Sequence, residues 1–379
     1  MDDEQVWAGA SRRQLLQGAG ALAAGAALMG APQALAGEPK YREKQRVDLH
    51  CHYLTQQYIA ALNGAGIFAI GGIPIAALPV WSPESAMAFM DSEGIALQML
   101  SVSDPGVAFL DDANAAALAR DCNDHVAGVI RDRPDRFGAF AVLPLQDPAA
   151  ARVEAVRALD ELELDGVGLL SNAKGKYLGD PIYADLLGEL NARGAWVMVH
   201  PTAVGADDKP SYSIPDFVAE YPFDTTRAIM SLLFNDMFRR YPKIRWHFAH
   251  GGGTIAMLRF RLTALAGNAA QFGALLGLPA PAQNLTAEVP KRVLKRSFFD
   301  TALIADQPSL AAVKEMGGVD GMLFGSDWPF AYRLYEDQPV PGDPQPTLSE
   351  FFDNDERRAI DRLNARSELK RLKNIIPGK

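Results

Sequence analysis

Only two cysteines, Cys51 and Cys122, occur in 379 residues, too few for a disulfide framework and spaced unlike any cysteine-based metal site. Each is expected as a small buried or half-buried hydrophobe. Clustered cations are missing too. The formal net charge is -9, with Lys and Arg spread along the chain, so the sequence lacks the electrostatic footprint of a nucleic-acid binder. A small-molecule partner is expected instead. After Gly37 no repeat, low-complexity tract or linker divides the sequence, and no run approaches the apolar length that spans a bilayer. With 48% hydrophobic and 22% charged residues, what remains has ordinary globular composition and enough length for one large α/β barrel or two smaller domains.

The first 36 residues read as an address. Ser11-Arg12-Arg13-Gln14-Leu15-Leu16 places twin arginines before the Gly/Ala-rich run Gly18 to Met29, and Ala34-Leu35-Ala36 supplies a small-residue cleavage site. The pattern resembles a bacterial Tat signal, and the apolar run is too short for a membrane span. The expected organisation is a signal peptide over 1–36 and one domain over 37–379. The mature protein is expected to be soluble, without a stable membrane span, and periplasmic or secreted.

Short apolar, β-branched runs recur at Arg46–His52, Ala96–Val102, Phe137–Leu143, Gly166–Leu170, Ala195–His200, Ile244–His250, Ser297–Thr301 and Gly321–Asp327, separated by segments with helical periodicity. Asp180-Pro181 opens one such helix, with Ile182, Leu186, Leu187 and Leu190 on one face and Gly194 as its stop. Asp224 is expected to cap another, whose Ile229, Leu232, Leu233 and Met237 repeat at helical spacing before Tyr241-Pro242. Regular β-then-α alternation needs parallel strands and crossover helices. Eight units in this length predict an α/β fold, a single (β/α)8 TIM barrel, with an open doubly wound sheet as the alternative.

In such a barrel the C-terminal strand ends converge on one mouth, so the sequence is best read strand end by strand end. The first strand ends in His50-Cys51-His52, and strand alternation puts both imidazoles on one side with Cys51 on the other. The fifth ends in His200 and the eighth in Asp327. Three imidazoles and a carboxylate suit one Zn2+ or a similar first-row divalent ion, with a position left for water. A lone strand-end His is more often a hydrogen-bonded core residue than a ligand, so the weight lies on the joint pattern. The sixth strand ends in His250-Gly251-Gly252-Gly253, where the glycines are expected to leave the imidazole free for proton transfer. His247, three residues earlier, is expected on the opposite strand face, against the helices. His125 lies in the helical stretch Asn114–Arg133, where a solvent-facing or capping role is expected.

These residues, with Val47-Asp48-Leu49 before the first pair, Pro134-Asp135-Arg136-Phe137, Leu143-Pro144-Leu145, Val199-His200-Pro201-Thr202, Phe248-Ala249-His250 and Phe324-Gly325-Ser326-Asp327-Trp328-Pro329, resemble the amidohydrolase-related family. The likeness is to its branch typified by aminocarboxymuconate-semialdehyde decarboxylase, and it extends over nearly all of the mature chain. The resemblance implies a metal-dependent decarboxylase acting on a small aromatic carboxylic acid. It implies a mononuclear ion, usually zinc with manganese as the alternative, on His50, His52, His200 and Asp327, and a catalytic His250; Asp327 or His250 supplies the proton that replaces CO2. A hydrolase of a lactone, ester or amide using the same site is the alternative, and a non-catalytic metal-binding protein is a third reading. The lysine that bridges two metals in hydrolytic cousins has no counterpart in Gly166–Ser171, and Lys174 and Lys176 lie beyond it in a loop. Arg261 matches an arginine that reaches the substrate carboxylate, often of a neighbouring subunit, which implies a homodimer; a solvated helix arginine is the alternative. One departure stands out: no Lys or Arg occurs between Arg46 and Arg120, and the loop after the first strand carries Ile67, Phe68, Ile70, Ile73, Ile75, Leu78 and Trp81. Such a wall suits a hydrophobic monocarboxylate better than a dicarboxylate, or else simply packs over the barrel or a partner.

Overall fold

Eight parallel strands follow one another around a barrel. They are β1 (Arg46–His52), β2 (Ile95–Ser101), β3 (Phe137–Val142), β4 (Gly166–Leu170), β5 (Trp196–His200), β6 (Arg245–Phe248), β7 (Phe298–Asp300) and β8 (Met322–Leu323). Each pairs with its neighbour in chain order, with no reversal of direction in the sheet, so the doubly wound alternative is excluded. The last strand returns to the first through a Cys51–Trp328 bridge, and the Asp327 N–H donates to the His50 carbonyl at 2.7 Å. This computed structural model describes residues 45–203, 213–331 and 343–378. The twin-arginine segment lies outside the described residues.

Helices between the strands begin where short polar side chains can take up free N–H groups. Asp111 caps α1 (Asp112–Asp132) by accepting from Asn114 N–H, and Ala115, Leu118, Ala119, Cys122, Val126 and Val129 line its buried face. Asp147 and Asp306 do the same for α2 (Pro148–Asp160) and α3 (Gln307–Gly317), each with proline in the first turn. Gly194, at φ 58, ends the helix Ala184–Arg193. The start of that helix differs from expectation. Asp180 caps a separate 3-10 turn, Pro181–Tyr183, in which Tyr183 is buried and Ile182 is half exposed, because 3-10 winding displaces Ile182 from the apolar stripe.

Asp224, expected as a cap, is not one. It lies inside α4 (Glu220–Phe234), fully buried, where it accepts hydrogen bonds from Ser171, Asn172 and Tyr177. A break at Asp236, φ 61, then separates α4 from the turn Met237–Arg240. Both cysteines are buried and free.

Apolar side chains form two main layers. Those between strands and helices make the larger one, while Val47, Leu49, Leu97, Met99, Phe140, Trp196, Met198 and Leu323 fill the barrel interior. The C-terminal Ala365, Leu369, Leu372 and Ile376 pack on the inner cluster, so the barrel carries a filled core and no channel. No helix among the described residues is long and apolar enough to cross a membrane.

Candidate metal centre

A register shift between Asp48 and Cys51 separates Leu49, in the inner cluster, from the residues that follow. Beyond it, Cys51 points into the outer layer and the His50 and His52 rings meet edge to face, with centroids 5.0 Å apart. Their Nε2 atoms are 3.1 Å from each other, and Asp327 Oδ1 lies 3.6 Å from His50 Nε2 and 3.1 Å from His52 Nε2. His200 completes the group, with every donor atom within 4.8 Å of the others and all four residues buried.

The outward nitrogens decide what the inward ones can do. His50 Nδ1 donates to the Asp300 carboxylate at 2.9 Å, and His200 Nδ1 donates to the Pro201 carbonyl at 2.7 Å. Ser101 Oγ spends its proton on the Cys51 carbonyl and therefore accepts from His52 Nδ1 at 3.1 Å. Each Nδ1 carries the proton, which leaves each Nε2 lone pair facing the common point. Three such nitrogens and an ionised oxygen form the donor set of a first-row divalent cation, and the residues present fit one.

Charge on these imidazoles is set by their neighbours. Burial opposes a charged His50, but Asp300 outweighs it and lifts the imidazole to about 9 without a cation, so binding one displaces the His50 Nε2 proton. Burial and neighbouring imidazoles drive His200 well below its usual value. Asp327, although buried, is lowered by His52 and His50 and stays ionised.

His250 closes the group from the far side, 4.7 Å from the His50 ring and 5.7 Å from that of His200. Its Nδ1 donates to the Ala302 carbonyl at 3.1 Å, and it lines the pocket above the four donors. Both His250 (φ 53) and Asp327 (φ 55) sit in the left-handed region, which costs about 1–3 kcal/mol each and which the surrounding hydrogen bonds must over-determine. Asp300 Oδ1 takes the His250 N–H at 3.0 Å, and the Asp327 carbonyl accepts from Phe330 and Ala331. The three glycines after His250 serve chain packing. All have positive φ, and a Cβ on Gly253 would lie 2.0 Å from the Pro222 carbonyl oxygen.

His247 corrects the sequence reading. Its ring faces the barrel interior beside Trp196, and Nε2 donates to Asp300 at 2.8 Å. Alternation counted back from His250 fails because β6 ends at Phe248 and His250 has left the strand. Asp300 itself escaped the sequence reading. One carboxylate holds His50, His247, His250 N–H and Ala302 N–H, and the available signal was a strand-end acid after Phe298-Phe299, the same kind of cue as Asp327. His125 is exposed, edge-on to Trp81. Arg261 is exposed on the helix Ile255–Gly267 and is absent from the pocket lining.

Above the centre, Ile70, Ile73, Phe217, Leu303, Phe330 and Ala331 form an apolar wall, with Ser103 and Tyr221 as its polar members. The enclosed space is about 20 Å³, room for about one water. Among the described residues no Lys or Arg lines it.

The family model described as amidohydrolase matches residues 47–369. The chain belongs to the amidohydrolase family. This amidohydrolase is 32% identical to "Decarboxylase yanB" of Aspergillus niger, over 76% of its own length and 77% of that protein. It is also 32% identical to "6-methylsalicylic acid decarboxylase acuB" of Aspergillus aculeatus, over 76% of its own length and 85% of the relative. Among solved structures, a 5-carboxyvanillate decarboxylase of Novosphingobium aromaticivorans, complexed with manganese and 4-hydroxy-3-methoxy-5-nitrobenzoic acid, superposes with a TM-score of 0.74. That match covers 88% of the amidohydrolase and 97% of the neighbour at 20% identity, a likeness of fold.

Proposed function

We propose that this amidohydrolase is a metal-dependent decarboxylase of a small aromatic carboxylic acid. The observation that carries the reading is the convergence of His50, His52, His200 and Asp327 beneath an apolar pocket that also receives His250, in a chain 32% identical to decarboxylases. The four residues would hold one divalent cation, Zn2+ in the first place, with Mn2+, present in the neighbouring structure, as the alternative. When bound, that cation supplies a Lewis acid beside the substrate's oxygens.

The chain's own residues supply the rest. The apolar wall, which here leaves room for about one water, must move outward to admit the ring and then flanks it and excludes water. His250, its Nδ1 committed to Ala302 and its basicity lowered by burial and by His50, is neutral near pH 7 and offers Nε2 to the pocket as a base. Breaking the bond between ring and carboxyl leaves an electron pair on the ring carbon as CO2 departs. The proton that quenches it is first taken from water or from a ring hydroxyl by His250 Nε2 or the Asp327 carboxylate, both of which line the pocket, and is then passed to the ring carbon.

Zinc-loaded protein is expected to release CO2 from at least one member of a panel of hydroxybenzoates. Turnover of lactones without any CO2 release overturns the proposal in favour of hydrolysis. The proposal extends to export by the Tat pathway to the periplasm or beyond, supported by Arg12-Arg13 and Ala34-Leu35-Ala36. It extends also to a homodimer in which a second copy covers the exposed Met257, Phe260 and Leu275, near Arg261 in the chain, and Arg261 reaches the partner's substrate.

A further inference from the structure

The polar end of the pocket wall is built with a definite hydrogen-bond polarity. Tyr221 is 5% exposed and lines the cavity, with its ring 5.9 Å from that of His200. Its hydroxyl lies 2.9 Å from Asp104 Oδ2, and Thr202 Oγ1 occupies the other carboxylate oxygen. An ionised carboxylate only accepts, so both hydroxyls donate to it. The Tyr221 proton is thereby spent on Asp104, and any further partner of its oxygen must donate to it. The hydroxyl lies against Gly71, itself a lining residue of the pocket, where a Cβ at φ 58 would stand 2.8 Å from it.

A ligand ring over the centre therefore meets apolar side chains and an acceptor oxygen with a carboxylate behind it, and no Lys or Arg among the described lining residues. A second carboxylate there would face an acceptor and a like charge in a buried setting. A hydroxyl would find a partner.

Resting on the decarboxylase reading for the class of ligand, we propose that Tyr221 is a specificity-determining residue that accepts a hydrogen bond from a ring hydroxyl of an aromatic monocarboxylate. Asp104 is its positioning residue, fixing the direction of the Tyr221 proton. The pair selects hydroxylated rings and rejects benzenedicarboxylates at that end of the pocket.

Calorimetric titration of the zinc-loaded protein tests this without turnover, using benzoate, the three hydroxybenzoates and isophthalate as probes. Wild type is expected to bind one hydroxybenzoate isomer about 2- to 12-fold more tightly than benzoate, the span of one net neutral hydrogen bond, and isophthalate more weakly than benzoate. Tyr221→Phe is expected to erase the hydroxyl preference while leaving benzoate affinity within about twofold. A Tyr221→Phe protein that keeps the full preference, or a wild type that prefers isophthalate, overturns the assignment. Carbon dioxide release, measured separately, keeps the two claims apart. The binding preference without CO2 release removes the decarboxylase reading alone, and CO2 release with the preference intact in Tyr221→Phe removes this inference alone.

Discussion

Asp300→Asn separates a positioning carboxylate from a packing one. Oδ2 receives His50 Nδ1 at 2.9 Å and His247 Nε2 at 2.8 Å, while Oδ1 receives the N–H groups of His250 at 3.0 Å and Ala302 at 3.1 Å. Asparagine keeps the shape and one acceptor oxygen. If that oxygen faces the backbone, its NH2 opposes two imidazole N–H groups, and His50 must turn its proton onto Nε2, the atom required as a ligand. If it faces the imidazoles, two buried backbone donors lose their partner. Either arrangement disturbs the centre. Loss of such a supporting carboxylate is expected to weaken cation binding about 10- to 100-fold, equivalent to about 1.4–2.8 kcal/mol. Competition for Zn2+ against a chromophoric chelator at pH 7.5 gives the ratio directly, with far-ultraviolet circular dichroism confirming the fold. A folded Asp300→Asn protein whose zinc affinity stays within twofold of wild type refutes the argument, because His50 would then need no carboxylate to orient it.

Two further outcomes follow from the same geometry. His250→Asn is expected to retain stoichiometric metal by elemental analysis while CO2 release falls by about 10²–10⁴, the range for removing a proton-transfer group; lost metal with proportionate activity would instead place His250 among the ligands. Burial, countered by hydrogen bonds from Thr202 and Tyr221, raises Asp104 to about 6. A carboxyl whose folded value lies above its unfolded one binds its proton more tightly in the native state, so its contribution to stability grows as pH falls from about 6 to about 4 and is least favourable above 6. Urea titrations of wild type and Asp104→Asn should therefore converge or cross in favour of wild type by up to about 3 kcal/mol between pH 7 and pH 4, and parallel profiles would count against the burial argument.

The barrel and the four-donor group were legible because both rest on local rules that survive folding. Apolar runs of strand length alternate with capped helices, and a parallel barrel gathers its strand ends at one mouth, so His50, His52, His200 and Asp327 meet. What stayed hidden depended on where regular structure stops or on distant contacts. His247 was turned outward by a parity count that ran past the end of β6. Asp224 sits at a position that suits a helix cap, but its partners Ser171, Asn172 and Tyr177 lie 53, 52 and 47 residues away, and no local pattern reveals them. Asp300 needed the fold to show that one carboxylate serves two imidazoles. The Tyr221–Asp104 pair joins residues 117 apart and was equally out of reach.

None of the pocket-wall residues Ile70, Ile73, Phe217, Tyr221, Leu303 and Phe330 belongs to a barrel strand, whereas His50, His52 and His200 lie in the C-terminal ends of theirs. The three imidazole ligands and the pocket wall are thus written in separable stretches of the chain, while His250 and Asp327 lie just past the ends of β6 and β8 and must travel with them. Grafting the connecting segments of one such protein onto the strands of another should exchange what is bound while leaving intact the machinery that acts on it, a route open to laboratory recombination and to descent alike.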